Sequence, residues 1–191
     1  DRLLKSPVKQ RGRDFAVMLA CLSELGYVVE WRVINAAEYG MPQRRRRVFI
    51  LAHKRGTEQH RILSRKKVNA IEWLTESGTI AKAFPVYRTP EQLVFEQHLL
   101  SEGEDFADLS ERFNKKGLPG NKSPFENSGI MSKNRFWTLR TKPRFEGEYQ
   151  ILSDVLLTPG KVPDEYFLST TSMTQNKGWK YLKGAKKEKR H

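Results

Sequence analysis

The chain has 191 residues, of which 38% are hydrophobic and 30% charged, and its 35 lysines and arginines outnumber 22 aspartates and glutamates for a net charge of +13. That charge favours a polyanionic partner, because basic side chains release condensed counterions when they meet phosphates, although it does not separate DNA from RNA, an acidic membrane or a solvated basic surface. The single cysteine, Cys21, excludes an internal disulfide and a cysteine-based zinc site, and no apolar run approaches the roughly 18 residues of a membrane-spanning helix. These features favour a reducing compartment, the cytoplasm.

The first fifty residues predict alternating helix and strand. A helix is expected over residues 13–26, where apolar side chains recur at the three- and four-residue spacing of one helix face and Gly26 stands at the end. Residues 27–35 predict a strand, residues 36–43 a loop, and the short apolar run at residues 48–52 a strand buried on both faces. Helix, strand, loop and strand in this order resemble the trailing part of a doubly wound α/β sheet.

The rest of the chain is more polar, and its predicted elements are less regular. They follow in this order: a helix over residues 68–76, an acidic helix over 89–111, a loop over 117–129, a basic and aromatic segment over 130–149, and short helices over 151–157 and 162–168. The last sixteen residues carry seven lysines and arginines against one glutamate, which is typical of a phosphate-binding or solvated tail.

Gln43 and the four arginines that follow it run directly into the second predicted strand. Because side chains of a strand alternate between its faces, Arg45 and Arg47 should point to the side of Gln43, and Arg44 and Arg46 to the other side. This arrangement predicts a Gln-x-Arg-x-Arg row at a strand end, where α/β enzymes bind their ligands. A charged edge that prevents sheet aggregation is the alternative, but it would not require the Gly-x-Pro that precedes the row.

Residues 35–50, which read Asn-Ala-Ala-Glu-Tyr-Gly-Met-Pro-Gln-Arg-Arg-Arg-Arg-Val-Phe-Ile, resemble the eighth conserved motif of the DNA cytosine-5 methyltransferases. The helix and strand before them are similar to the segment that precedes this motif in the family. Residues 123–131 and 152–169 resemble the target-recognition region of some bacterial and phage members. The resemblance is specific over residues 1–52, moderate over residues 120–190 and slight between them.

The resemblance implies a methyl transfer from S-adenosylmethionine to carbon 5 of a cytosine that is flipped out of duplex DNA. Negative charge builds on the ring during that reaction, and an arginine is a suitable donor near the exocyclic oxygen because its planar guanidinium stays charged. By resemblance, Arg47 would be this donor, Arg45 would hold the active-site architecture, and Gln43 would support the same face. The implied fold is α/β, an incomplete Rossmann-like S-adenosylmethionine-dependent core over residues 1–84, followed by a small mixed α+β target-recognition domain over residues 85–191.

Several parts of the family's machinery have no match in this sequence. The Pro-Cys nucleophile is missing, since Cys21 follows Ala20 inside an apolar helical stripe, and so are the Glu-Asn-Val motif, the glycine-rich cofactor loop and the late Gly-Asn motif. We therefore expect a piece of a longer bacterial or phage enzyme that binds double-stranded DNA. The intact enzyme would use S-adenosylmethionine, whereas this piece would bind no cofactor, hold no metal and be inactive alone.

Residues 133–145 interleave basic and aromatic side chains, a pattern that suits contacts to phosphates and base edges, although Phe136 and Trp137 equally suit a small core. The predicted DNA-contact residues come from this region, from Ser132 just before it and from the arginine run: Arg44, Arg46, Ser132, Asn134, Arg135, Arg140 and Lys142. Two alternatives remain open, a stand-alone basic DNA-binding module without enzymatic activity and a metal-dependent nuclease that uses the acidic residues 91–111. The four histidines lack metal-ligand spacing, which favours structural or surface roles for them.

Overall fold

The computed structural model describes residues 2–65, 68–87 and 94–167. The chain forms two compact units, residues 1–151 and residues 152–191. The predictions for residues 88–93, for Leu168 and for the basic tail after it lie outside the described residues.

The first unit contains five short helices and seven strands among its described residues. Its helices are α1 Arg13–Glu24, α2 Glu58–Leu63, α3 Ala70–Glu72, α4 Thr79–Ala83 and α5 Phe106–Arg112. Its strands are β1 Val28–Asn35, β2 Arg46–His53, β3 Val86–Tyr87, β4 Phe95–His98, β5 Ser128–Ser132, β6 Arg135–Leu139 and β7 Lys142–Pro143. In the described part of the second unit, residues 152–167, there is one helical turn, α6 Leu152–Val155, followed by two 3-10 turns, Pro159–Lys161 and Asp164–Tyr166.

Five strands of the first unit form one sheet in the order β2-β1-β5-β6-β4, and β3 pairs with β7 in a separate two-stranded ribbon. β1 lies between a strand that is near in sequence and one that is distant: Val33 is opposite Val48 of β2, and Val29 is opposite Met131 of β5. The mixed α/β content is confirmed. Every pairing in the described part of the chain is antiparallel, however, so a doubly wound, Rossmann-like core stays a prediction.

Apolar clusters lie on both faces of this sheet. On the face that carries α1, the ring of Phe15 meets Trp31 and Phe125 edge-on, with centroids 5.2 and 4.8 Å away. The indole of Trp31 lies so close over Gly129 that a Cβ atom there would come within 2.0 Å of the ring. The other face buries a second cluster that includes Val28, Leu63, Trp73, Leu74, Ile130 and Leu139. Both clusters hold β1 and β5 together, since truncating one buried aromatic ring to alanine typically costs about 3–5 kcal/mol.

The structure confirms the first predicted helix and strand and corrects the second strand. α1 lies where the apolar spacing places it, and Gly26 follows its end at φ 77°, a left-handed conformation that glycine adopts without penalty. The strand predicted at residues 48–52 is present as β2, but the prediction that both of its faces are buried is wrong. β2 is the outer strand of the sheet, and its side chains Phe49 and Leu51 are 47% and 37% exposed. A continuous apolar run therefore did not distinguish an outer strand from an inner one.

The acidic helix predicted over residues 89–111 is wrong for most of its described part. Residues 95–98 form β4, and α5 begins only after Asp105. The Asp105 carboxylate accepts from the Asp108 amide at 2.9 Å, and the Asp108 carboxylate accepts from the Asp105 amide at 3.1 Å. This reciprocal capping box, rather than the acidic composition, sets the start of the helix.

The remaining predictions are met by shorter elements. The helix predicted over residues 68–76 is found as α3, which continues into a π-helical turn at Trp73–Ser77. The helix predicted over residues 151–157 is reduced to α6, and Asp164–Tyr166 forms a 3-10 turn in place of the last one. The basic and aromatic segment is the β5–β6 hairpin, in which Phe136 is fully buried and belongs to the core.

The division predicted at residue 84 does not coincide with an edge of the sheet. β5 and β6 come after residue 84, yet β5 pairs directly with β1, which comes before it. The functional boundary, with catalytic residues before residue 84 and DNA-recognition residues after it, stays a prediction.

Candidate functional site

The Gln-x-Arg-x-Arg segment leads into β2. After β1 the chain makes a 3-10 turn, reverses at Gly40 with φ 81°, and enters β2 at Arg46. The Ala36 amide donates to the Arg45 carbonyl at 3.2 Å, which closes the loop at its base. Residues 43–47 are all exposed, so this loop presents its polar side chains to solvent at one end of the sheet.

The alternation predicted for the arginines is present where β2 begins. Arg46 lies on the sheet face that carries α1, and Arg47 lies on the opposite face. Gln43, Arg44 and Arg45 precede the strand, so the pleat of β2 does not set their directions. The roles predicted for Gln43, Arg45 and Arg47 in catalysis stay predictions.

Aromatic side chains from later in the chain support this loop. The Tyr39 hydroxyl donates to the Pro85 carbonyl at 3.1 Å, and its ring meets Phe84 edge-on at 5.1 Å. Burial raises the pKa of Tyr39, although a nearby guanidinium opposes the shift, so the hydroxyl remains a neutral donor. Phe145 covers Gly40, where a Cβ atom would approach the ring to 2.5 Å. Both the space and the positive φ therefore require glycine at this position.

Two cavities of about 270 and 210 Å³ adjoin at the end of β1 that projects beyond β5. Five residues line both of them, and we call this surface the Arg46 groove: Val33, Arg46, Asn127, Thr141 and Lys142. The larger cavity is also lined by Arg140. The structure thus brings one arginine of the motif together with two of the cations predicted to contact DNA from the second half of the chain. Arg44, also predicted to contact DNA, lines neither cavity.

Asn127 builds the floor of the Arg46 groove. Its side-chain amide donates to the Thr141 carbonyl at 2.8 Å, and its side-chain oxygen accepts from the Thr141 amide at 2.8 Å. The Asn127 carbonyl also accepts from the Val33 amide of β1 at 2.7 Å. Asn127 therefore fixes the backbone on either side of Thr141, and with it the starting points of the Arg140 and Lys142 side chains.

A buried arginine adjoins this floor. Arg32 of β1 is 2% exposed; its Nε donates to the Ser128 hydroxyl at 3.2 Å, and its two terminal nitrogens donate to the carbonyls of Phe84 and Leu74. Burial lowers the pKa of Arg32, while the nearby tyrosine and glutamate side chains oppose the shift. The group stays charged at neutral pH, because arginine starts from a very high pKa. Sequence reasoning missed this residue, which gave no motif signal.

Glu30, two residues earlier on the same face, is the matching buried carboxylate, at 1% exposure. It lies 2.9 Å from His53 Nε2, and it accepts from the Trp73 indole at 3.2 Å and from the Ile80 amide at 3.3 Å. Burial opposes its ionisation, but hydrogen bonds from His53, Thr79 and the Ile80 amide outweigh burial and hold the pKa of Glu30 below its ordinary value. This network joins the sheet to α4 and to the π-helical turn that follows α3.

The other residues predicted to contact DNA lie at the opposite end of the sheet, beside the turn between β5 and β6. Ser132 is 3% exposed, so its hydroxyl faces the interior. The backbone amide of Asn134 donates to the hydroxyl of Ser23 in α1 at 2.8 Å, and Arg135 forms an ion pair with Glu96 at 2.9 Å. The structure therefore separates these three residues from the Arg46 groove, and their contact with DNA stays a prediction that this placement does not favour.

Acidic side chains of the first unit serve helix ends and ion pairs. The hydrogen bond from Arg112 lowers the pKa of Glu104 to about 2, and Lys115 pairs with Glu111 at 3.0 Å. Across residues 2–65, 68–87 and 94–167, no group of three or more histidine, cysteine, aspartate or glutamate side chains is arranged to hold a metal ion. The nuclease alternative thus gains no metal site from the described residues. None of the described helices is long and apolar enough to cross a membrane.

Comparison with known proteins identifies the family. The sequence profile described as C-5 cytosine-specific DNA methylase matches residues 3–190. The chain belongs to this family. Type II methyltransferase M.Sau3AI of Staphylococcus aureus is 40% identical over 192 residues, which cover 100% of this chain and 42% of that protein.

Shorter matches of the methylase chain include M.NlaIV of Neisseria lactamica, 44% identical over 46 residues, and M2.BsuMI of Bacillus subtilis (strain 168), 45% identical over 42 residues. They cover 24% and 22% of this chain, and 11% of each of those proteins. The methylase chain spans less than half the length of the Staphylococcus aureus relative. No solved structure matches it.

The Arg46 groove of this methylase chain does not fit S-adenosylmethionine. Its lining arginines and lysines outnumber Glu126 and Glu38, and this excess of positive charge would repel the positive sulfonium of the cofactor.

Proposed function

We propose that this chain is the part of a DNA cytosine-5 methyltransferase that supplies the arginines beside the reacting cytosine and the surface that recognises duplex DNA. The observation that carries the proposal is the adjacency of Arg46, in the Gln-x-Arg-x-Arg segment, and Lys142, from the second half of the chain, in the Arg46 groove. A methyltransferase needs such adjacency, because the base must leave the stack while the backbone beside it is held.

Within this proposal, Arg47 donates to the exocyclic oxygen of the flipped cytosine, and Arg45 and Gln43 hold the loop that carries it. A guanidinium suits the task because it stays charged and its fork keeps its geometry as negative charge develops on the ring. Cys21 lies half-buried on α1, so the thiolate nucleophile and the S-adenosylmethionine site are assigned to the remainder of the longer protein. As the relatives are named type II methyltransferases, we assign the whole protein to bacterial DNA modification of that type.

The role of Arg47 is tested in a complete methyltransferase that carries this sequence. Arg47→Ala should lower turnover by about 10²–10³, the usual effect of removing one donor to a developing oxyanion. Arg61→Ala, a change of an exposed arginine on α2, is the matched control and should leave turnover unchanged. A loss of less than threefold for Arg47→Ala would exclude the donor role.

DNA recognition is tested on the 191-residue chain itself. Fluorescence anisotropy with a labelled duplex should show binding whose logarithmic affinity falls linearly with the logarithm of salt concentration, because phosphate contacts release counterions. An affinity that does not change with salt, or no binding at low salt, would contradict the recognition role.

A further inference from the structure

We infer that the Arg46 groove is a binding site for a backbone phosphate of duplex DNA, with Arg46 and Lys142 as its ligands. The inference rests on the proposed function and deepens it, because it names the place where this chain grips the substrate. It also reassigns the DNA surface within the chain, from the β5–β6 turn to the opposite end of the sheet.

The shape of the groove fits one sugar-phosphate unit better than a flipped base. A base site needs an exposed aromatic face for stacking, but Phe125, which lines the larger cavity, is 5% exposed and packed among other phenylalanines. Tyr39, which lines the smaller cavity, is half-buried, and its ring packs edge-on against Phe84 and Phe145. Apart from Leu4 and Val33, the rest of the wall of the larger cavity is formed by polar and charged residues. Such a wall suits an anion that keeps its own sugar outside the cavity.

The charge of the groove is positive and is only partly neutralised. Glu126 lines the larger cavity and Glu38 lines the smaller one. Glu126 is engaged by Arg140, with Nε 3.1 Å from its carboxylate, and the lining cations Arg46, Arg140 and Lys142 outnumber the two carboxylates. Within the part of the chain that the structure describes, neither Arg46 nor Lys142 forms an ion pair. Two uncompensated cations that line the same small cavity repel each other, and a phosphate between them removes that repulsion.

The frame of the groove is rigid before any ligand arrives. The Asn127 side chain hydrogen-bonds to both the backbone amide and the carbonyl of Thr141. The Thr141 hydroxyl lies 2.7 Å from the Ser128 hydroxyl, which accepts from buried Arg32. This chain of hydrogen bonds extends from the core to the wall of the groove and adds a fixed positive charge near it. A preorganised site loses little conformational entropy on binding, so a few cations can hold a phosphate firmly.

The site is tested by binding of the 191-residue chain to a labelled random-sequence duplex of about 20 base pairs, roughly two helical turns. The double variant Arg46→Gln/Lys142→Gln should bind about tenfold more weakly at low salt, and its salt slope should be smaller by about one for each phosphate that the protein no longer neutralises. The matched control Arg61→Gln/Lys133→Gln removes the same charge from exposed positions outside the groove, and its affinity should fall by less than threefold.

A charge-conserving variant separates the effect of charge from the effect of structure. Arg46→Lys/Lys142→Arg should bind the duplex within about threefold of the wild-type affinity. A larger loss of affinity in this variant would show that the glutamine changes act through folding rather than charge, and it would overturn the site. Equal decreases in affinity for the groove variant and the control would also overturn it, because net charge alone would then explain binding. No binding by the wild-type chain would overturn the proposed function together with the site. Binding that the groove variant leaves intact would overturn the site alone.

Discussion

The two ends of the five-stranded sheet use polar residues in opposite ways. Beside the β5–β6 turn, polar groups serve the protein itself: Asn134 is held by Ser23, and Arg135 is paired with Glu96. In the Arg46 groove, Arg46 and Lys142 form no ion pair with any described residue, although the backbone around them is tightly held. Basic side chains are present at both ends, so our proposal for the groove rests on uncompensated charge and on a well-held backbone rather than on composition.

The largest change in stability is expected from substitution of Glu30. This residue lies nearer the β5–β6 turn than the groove, at the end of the sheet where we predict that polar residues stabilise the fold. Glu30→Ala should lower the free energy of unfolding by about 3–5 kcal/mol at pH 7, because it leaves His53, the Trp73 indole and the Ile80 amide without their buried partner. Urea titration measures the change. Glu111→Ala, which removes an exposed carboxylate, should have almost no effect.

The pH dependence of the same residue sharpens the test. The pKa of Glu30 is lower in the folded chain than its ordinary value of 4.5, so the unfolded chain binds the proton more tightly. Its contribution is therefore complete above about pH 4.5 and is lost as the pH falls through the folded pKa. The stability difference between wild type and Glu30→Ala should shrink in that acid range, and a difference that stays constant down to pH 3 would contradict the network.

A smaller change in stability, together with a loss of DNA affinity, is expected from substitution of Asn127 in the Arg46 groove. Asn127→Ala removes two 2.8 Å hydrogen bonds to Thr141 and leaves both backbone groups unpaired, which should cost about 2–4 kcal/mol. It should also weaken DNA binding, because the frame of the groove loosens. Gln150→Ala, which removes an exposed amide side chain where the backbone is not left-handed, is the control for both measurements. Unchanged DNA affinity in folded Asn127→Ala would break the link between rigidity and binding.

The smallest effect is expected from Asn134, in the turn itself. Lys133 and Asn134 have φ of 50° and 61°, a pair typical of a two-residue hairpin turn that favours glycine at its second position. Asn134→Gly should leave the free energy of unfolding unchanged or raise it by at most about 1 kcal/mol, as measured by urea titration. The affinity for DNA should not change. A tenfold loss of affinity would instead place DNA at the turn end and reverse the comparison.

What could be predicted from the sequence is what depends on local pattern. The spacing of apolar residues located α1, and the alternation of a strand separated Arg46 from Arg47, because both effects act over a few residues. The motif that implies the family lies in one continuous segment. The helix predicted over residues 89–111 was wrong because it relied on local composition alone. A local acidic run carries no information about β6, the distant strand that pairs with β4.

What could not be predicted depends on contacts between distant segments. Glu30 and Arg32 lie in a strand whose polar positions would ordinarily face solvent, and they are buried because residues 70–84 cover them. The groove has the same origin, since Arg46 and Lys142 are nearly a hundred residues apart in the chain. Spacing within the sequence gave no signal for either network.

The position of β1 between β2 and β5 has a consequence during synthesis of the protein. The β1–β2 hairpin is complete at His53, but the partner for the free edge of β1 follows only at Ser128. At a synthesis rate of roughly 5–20 residues per second, that hydrogen-bonding edge stays open for several seconds or longer on the ribosome. A replacement of residues 85–191 by the matching region of a relative would face the same dependence. The replacement must supply a strand that pairs with β1 and a glycine that fits beneath Trp31.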